Sequence, residues 1–148
     1  MTLSRTIQIY NRLLFLTFLL IFITIGCKKK SEYPIPNVSV NIYLNLSLPA
    51  YQNLNSPSGW VYINGGSRGI IVYRNFNTFI ALDRHTTYQP DSVCGVATVD
   101  TSNFFIINDP CSDSQYSISD GTVSKGPAKW GLKPYFANYD GGSVHISN

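Results

Sequence analysis

Between Val38 and Leu48 every second residue is apolar. Val38, Val40, Ile42, Leu44, Leu46 and Leu48 alternate with Ser39, Asn41, Tyr43, Asn45 and Ser47. Successive side chains of a strand point to opposite faces, so this period of two demands a β-strand with one face buried. Pro49 ends it. Shorter runs follow at regular intervals: Trp60–Ile63, a hairpin of Ile70–Tyr73 and Thr78–Leu82 around Asn75-Phe76-Asn77, Val96–Val99, Phe104–Ile107, Tyr116–Ile118, Thr122–Ser124, Leu132–Tyr139 and Ser143–Ile146. Gly65-Gly66, Asp120-Gly121 and Asp140-Gly141-Gly142 supply turns. Residues 50–58, 84–95 and 109–114 read as loops. No segment after residue 26 carries a helical period, so the chain is expected to fold as an all-β domain of nine or ten short antiparallel strands.

The first 30 residues are of another kind. Arg5 and Arg12 are the only charges before Cys27, and Leu13–Ile25 contains no charge, Gly or Pro. Such a run is too short to cross a hydrocarbon core of about 30 Å comfortably as a helix. A basic start, a short apolar run and a small residue, Gly26, form the pattern of a signal peptide over residues 1–26. Cys27 follows at once, and the junction resembles the lipobox of bacterial lipoproteins, with Thr24 where Leu is usual. The resemblance implies lipid on Cys27, an envelope location on the periplasmic face or outer membrane, and membrane attachment. An uncleaved anchor helix is the alternative. Lys28, Lys29 and Lys30 form a basic collar suited to anionic headgroups. Residues 27–36, with Pro34 and Pro36, read as a flexible tether, and 37–148 as the domain.

Export alters the meaning of the charge. The whole chain is +3, but from Ser31 onward six Lys/Arg face eight Asp/Glu, a net of −2. No basic patch for nucleic acid is expected. Once Cys27 is acylated, Cys94 and Cys111 remain, 17 positions apart, and in an oxidising compartment they read as a disulfide.

A further resemblance lies in Gly121-x4-Gly126-Pro127-Ala128-x3-Leu132-x2-Tyr135, followed by Gly141-Gly142-x-Val144-x-Ile146. This block is similar to the C-terminal half of Rieske [2Fe–2S] domains. Gly66-x-x-Gly69-Ile-Ile-Val-Tyr-Arg74 through Ala81-Leu-Asp83 is similar to the strands before their first cluster loop. The likeness spans about residues 59–148 and implies a Rieske-like antiparallel β-sandwich or barrel. The family holds its cluster with Cys-x-His in one loop and Cys-x-x-His in the other. Carried over residue by residue, those positions hold Thr86 and Tyr88 in the first loop and Asp109 and Ser112 in the second. All four ligands are replaced. Cys111 falls where high-potential members carry a loop-bridging Cys, and Cys94 lies in the first loop region.

Two Cys (Cys94, Cys111) and two His (His85, His145) match a Rieske inventory in number, but His145 belongs to the last strand and His85 precedes the Cys position. His85 is expected to bond a loop carbonyl or to face solvent. A Cys/His protease pair would need a free thiol. Asp83, Asp109 and Asp113 are candidates for a cation, although carboxylates in such loops commonly serve as turn residues. Trp60 and Trp130 are candidates for sugar stacking or for packing. The Asn37 and Asn45 sequons carry no weight in a bacterial lipoprotein. The sequence thus reads as a cluster-free Rieske-like domain, not an enzyme, without a cofactor, with a binding or structural role beside an envelope protein partner. The rival is Rieske-type electron transfer with an atypical [2Fe–2S] site.

Overall fold

The computed structural model describes residues 33–148, together with Ile7, Gln8, Asn11, Arg12 and Leu14, which are helical. The Gly26–Cys27 junction, the lipid site at Cys27, the lysine collar and most of the leader lie outside the described residues. Among the described residues no helix is long and apolar enough to cross a membrane. Residues 33–148 form one unit with ten strands: β1 (Asn41–Asn45), β2 (Trp60–Ile63), β3 (Ile70–Asn75), β4 (Thr78–Asp83), β5 (Thr98–Val99), β6 (Ile106–Asn108), β7 (Gln115–Ser117), β8 (Val123–Lys125), β9 (Pro134–Tyr139) and β10 (Ser143–Ser147). They build a six-stranded sheet in the order β1-β10-β9-β4-β3-β2 and a four-stranded sheet in the order β5-β6-β7-β8. Every pairing is antiparallel.

The β3–β4 hairpin is the septum between two cores. Ile70 and Val72 face one cluster with Val40, Leu44, Leu46, Leu54, Val144 and Ile146. Ile71 and Tyr73 face the other, with Val99, Ile107, Tyr116, Ile118 and Leu132 from the small sheet and its flanks. Ile70 to Tyr73 are all buried, which explains why this stretch is an unbroken apolar run rather than an alternating one. Burial of a large aliphatic side chain is worth about 1.5–3 kcal/mol, so the septum contributes to both cores at once.

The alternating segment at 38–48 is a strand only over Asn41–Asn45, because its partner β10 offers five residues to pair with. Val38 and Leu48, beyond the ladder, are 38% and 49% exposed, while Val40, Leu44 and Leu46 are buried. The loop expected at 50–58 instead opens with a 3-10 helix, Pro49–Asn55, whose Leu54 is fully buried. The packed unit begins at Tyr33, four residues before the boundary read from the sequence. Ile35 is 4% exposed and the Tyr33 hydroxyl donates to the Leu132 carbonyl at 3.4 Å. Pro34 and Pro36 exclude a helix there, but an extended chain can still bury a side chain.

Candidate functional site

One end of the domain gathers the β2–β3 turn, the first loop (84–95), the second loop (109–114) and the segment between β8 and β9. Its base is Asp83, the last residue of β4, which is fully buried. Its carboxylate accepts from the backbone N–H of Ser67 at 2.7 Å, of His85 at 2.8 Å and of Arg68 at 3.4 Å, and from the Tyr135 hydroxyl at 2.7 Å. Gly66, at φ +60°, lets the turn approach this closely, since a Cβ there would lie 2.8 Å from the Tyr135 hydroxyl oxygen. Asp83 therefore organises a turn and is not available to a cation.

The first loop is held from the side by Arg68. Its guanidinium donates to the carbonyls of Pro90, Ser92 and Gly95. His85 is 5% exposed and lies between Ser67 and Pro90. A carbonyl can only accept, so Nε2 carries a hydrogen and donates to the Pro90 oxygen at 2.6 Å. In the neutral ring Nδ1 then accepts the Ser67 hydroxyl at 2.7 Å. The expected loop-carbonyl bond of His85 is thus present. Thr86 is fully buried, and its Oγ1 has no hydrogen-bond partner. A Cβ added at Gly95 would sit 2.7 Å from that oxygen, so the glycine gives Thr86 its room. Thr87 is buried beside the Tyr116 hydroxyl and donates to the Trp130 carbonyl. Tyr88 packs against the second core cluster.

In the second loop Asp109 is 3% exposed, and both carboxylate oxygens are occupied. Oδ1 accepts from the Cys111 N–H at 2.9 Å and Oδ2 from the Ser112 hydroxyl at 2.8 Å. The Ser112 Oγ in turn accepts from the Ser114 N–H at 3.1 Å, and the Ser114 hydroxyl accepts from the Ala128 N–H at 2.9 Å. Asp109 is a turn-capping carboxylate by this geometry. Asp113 is exposed and shares a cavity of about 250 Å³ with Asp109, Ser112, Asn108, Gln115 and Lys125. Among the described residues no three His, Cys, Asp or Glu side chains converge as a metal site would require.

Cys94 and Cys111 are joined in a disulfide with Cα atoms 5.5 Å apart, which ties the two loops together. His145 lies on β10, stacked on Tyr43 at 4.1 Å with Nε2 2.8 Å from the Asn41 amide oxygen. Trp60 is half-buried against the second cluster and lines an open cleft of about 510 Å³ with Phe104. Trp130 is 40% exposed and packs on Tyr33. The two tryptophans therefore stand in separate surroundings.

Burial, then the Asp83 carboxylate, push the Tyr135 phenol above its ordinary value of 10.0. Its folded pKa lies above the unfolded one, so its contribution to stability is complete below about pH 10 and is lost as pH rises further. Tyr116 is raised in the same direction by burial. Urea midpoints measured from about pH 8 to about pH 11 are expected to fall above pH 10, and Tyr135→Phe should flatten that fall.

The curled antiparallel sheets, with two loops tied together by a disulfide at one end, have a Rieske-like β fold, as the solved structures that match it show. Among solved structures, the ferredoxin of carbazole 1,9a-dioxygenase from Nocardioides aromaticivorans IC177 matches with a TM-score of 0.50 at 15% identity, over 75% of this chain and 98% of that one. A chain of the complex of reduced oxygenase and oxidized ferredoxin in carbazole 1,9a-dioxygenase matches with a TM-score of 0.50 at 19% identity, over 72% of this chain and 93% of that one. No protein-family model and no curated protein sequence matches the chain.

Proposed function

We propose that this chain is a lipid-anchored envelope protein whose Rieske-like domain carries no [2Fe–2S] cluster and acts by binding, as an accessory to an envelope protein, rather than by catalysis. The observation that carries this reading is the Cys94–Cys111 disulfide, which uses both thiols of the domain. A Rieske cluster needs two thiolates on one iron and two imidazoles on the other. The residues present do not fit it. At the positions implied by the family resemblance stand a buried hydroxyl (Thr86), a core-packed phenol (Tyr88), a carboxylate with both oxygens bonded (Asp109) and a hydroxyl within the same network (Ser112). His85 is engaged with Ser67 and Pro90, and His145 with Asn41. What remains is a loop pair fixed by a disulfide, Arg68 and His85 on a rigid sheet, and loops so presented commonly serve as docking surfaces. One similar structure comes from a complex of reduced oxygenase and oxidized ferredoxin.

The full chain purified from membranes is expected to be colourless, with no iron and no inorganic sulfide by elemental analysis. Two irons and two sulfides per chain, with visible absorption, would return the protein to electron transfer and overturn the proposal.

A further inference from the structure

We propose that the segment Lys125–Lys133 is a bilayer-contact surface that lays the domain on anionic lipid headgroups. The inference rests on the lipid-anchored reading and adds to it a face and an orientation.

The charge distribution is the first argument. After residue 30 the chain has three lysines, Lys125, Lys129 and Lys133, all within this segment, and no acid stands between Asp120 and Asp140. The three arginines of the domain are committed to its interior ties. Arg68 holds loop carbonyls, Arg74 donates to the carbonyls of Leu54 and Phe76, and Arg84 donates to the Ala97 carbonyl while lying 3.9 Å from the Tyr62 ring centroid. Lys125 and Lys129 are exposed. A chain with a net charge of −2 from Ser31 onward thus concentrates its unspent positive charge in nine residues. Lys125 also lines the cavity beside Asp109 and Asp113, which offset part of its charge, so Lys129 is the more telling position.

The second argument is aromatic. Trp130 sits between Lys129 and Lys133 and is 40% exposed, with the Tyr33 ring 5.6 Å away. An amphipathic indole beside a phenol and flanked by lysines suits the headgroup layer, where aromatic rings and basic side chains accumulate.

The third argument is continuity with the anchor. Tyr33 and Asn37, which follow Cys27 in the sequence, dock on this same segment. The Tyr33 hydroxyl donates to the Leu132 carbonyl, the Tyr33 ring packs on Trp130, and Lys133 Nζ donates to the Asn37 amide oxygen. Only six residue steps separate Cys27 from Tyr33, a reach of at most about 20 Å when fully extended. A lipid at Cys27 would therefore keep Tyr33, Trp130 and Lys129 close to the headgroups. Because the Trp130 carbonyl accepts the Thr87 hydroxyl, the face is joined to the first loop, and the clamped loops would lie near the membrane surface.

The test uses the mature chain, residues 27–148, with Cys27→Ser to remove the lipid site and Lys28, Lys29 and Lys30→Gln to silence the collar. Trp60→Phe leaves Trp130 as the only tryptophan. The probes are vesicles of phosphatidylglycerol with phosphatidylcholine, and of phosphatidylcholine alone. The expected result is partition onto the anionic vesicles with a blue-shifted Trp130 emission quenched by brominated acyl chains, weakened about tenfold or more on the neutral vesicles and at about 0.5 M salt. Lys125→Gln with Lys129→Gln should weaken partition by about tenfold or more, and Trp130→Ala, read by co-sedimentation with the vesicles because it removes the fluorescent reporter, should do so separately, with circular dichroism unchanged in each. Equal binding to both vesicles, no binding, binding insensitive to these substitutions, or use of this face by a protein partner with no lipid binding would each overturn the proposal. A missing lipid on the chain purified from membranes, seen by mass, or iron in it would strike the anchoring and cluster readings instead, since the vesicle assay depends on neither.

Discussion

Asp83→Ala is expected to cost about 4 kcal/mol of folding stability, enough to leave the domain close to unfolding. The carboxylate is fully buried and accepts from Ser67, His85 and Tyr135 within 2.8 Å, with the Arg68 N–H further off. Removing it strands at least three donors, each at about 1–3 kcal/mol, with entering water offsetting part of the loss. Total stability of a domain this size is only about 5–15 kcal/mol. Tyr135→Phe removes one donor and leaves the carboxylate three partners, so it should cost about 1 kcal/mol. Urea unfolding followed by tryptophan fluorescence separates the two. A loss below about 1 kcal/mol for Asp83→Ala would mean that the turn and the first loop do not depend on it.

Replacing Cys94 and Cys111 together by Ser is expected to cost about 3 kcal/mol, the loop-closure value for a bridge spanning 17 residues. At about 4 °C per kcal/mol for a domain of this size, the thermal midpoint should fall by about 12 °C. The first loop should nevertheless keep its native path in the variant, because Arg68 still donates to the Pro90, Ser92 and Gly95 carbonyls and His85 still bonds Pro90. Hydrogen exchange therefore distinguishes the two changes: Asp83→Ala should expose the amides of Ser67 and His85, whereas the disulfide variant should loosen chiefly the second loop around Cys111. If both cysteines of the untreated protein alkylate without reductant, the bridge is absent and this expectation fails with it.

Much of this was legible in the chain because it is set by near neighbours. Alternation at 40–46 follows from the pleat of one strand, and the unbroken Ile70–Tyr73 run follows from burial on two faces. The β3–β4 hairpin closes through Phe76-Asn77, inside the turn read at Asn75-Phe76-Asn77. The Cys94–Cys111 bridge could be read because only two cysteines remained to pair once Cys27 was set aside. His85 reaches a carbonyl five residues on, a local bond that its place in a loop already suggested.

The parts that fix the site were not legible. Arg68 holds carbonyls 22 to 27 residues away, Asp83 meets Tyr135 across 52, and Tyr33 meets Leu132 across 99. Sequence reading placed Asp83 with candidate cation ligands and Tyr33–Pro36 in a tether, because nothing local to either announces a distant partner. Local propensity and side-chain period act over a few residues, so the chain alone determined most of the strands and the turns between them. Which buried carboxylate meets which donors, and which surface the incoming chain lies against, depends on how β4, β9 and the loops are brought together in space. Only the folded sheet, where desolvation makes an unpartnered polar group costly, decided that.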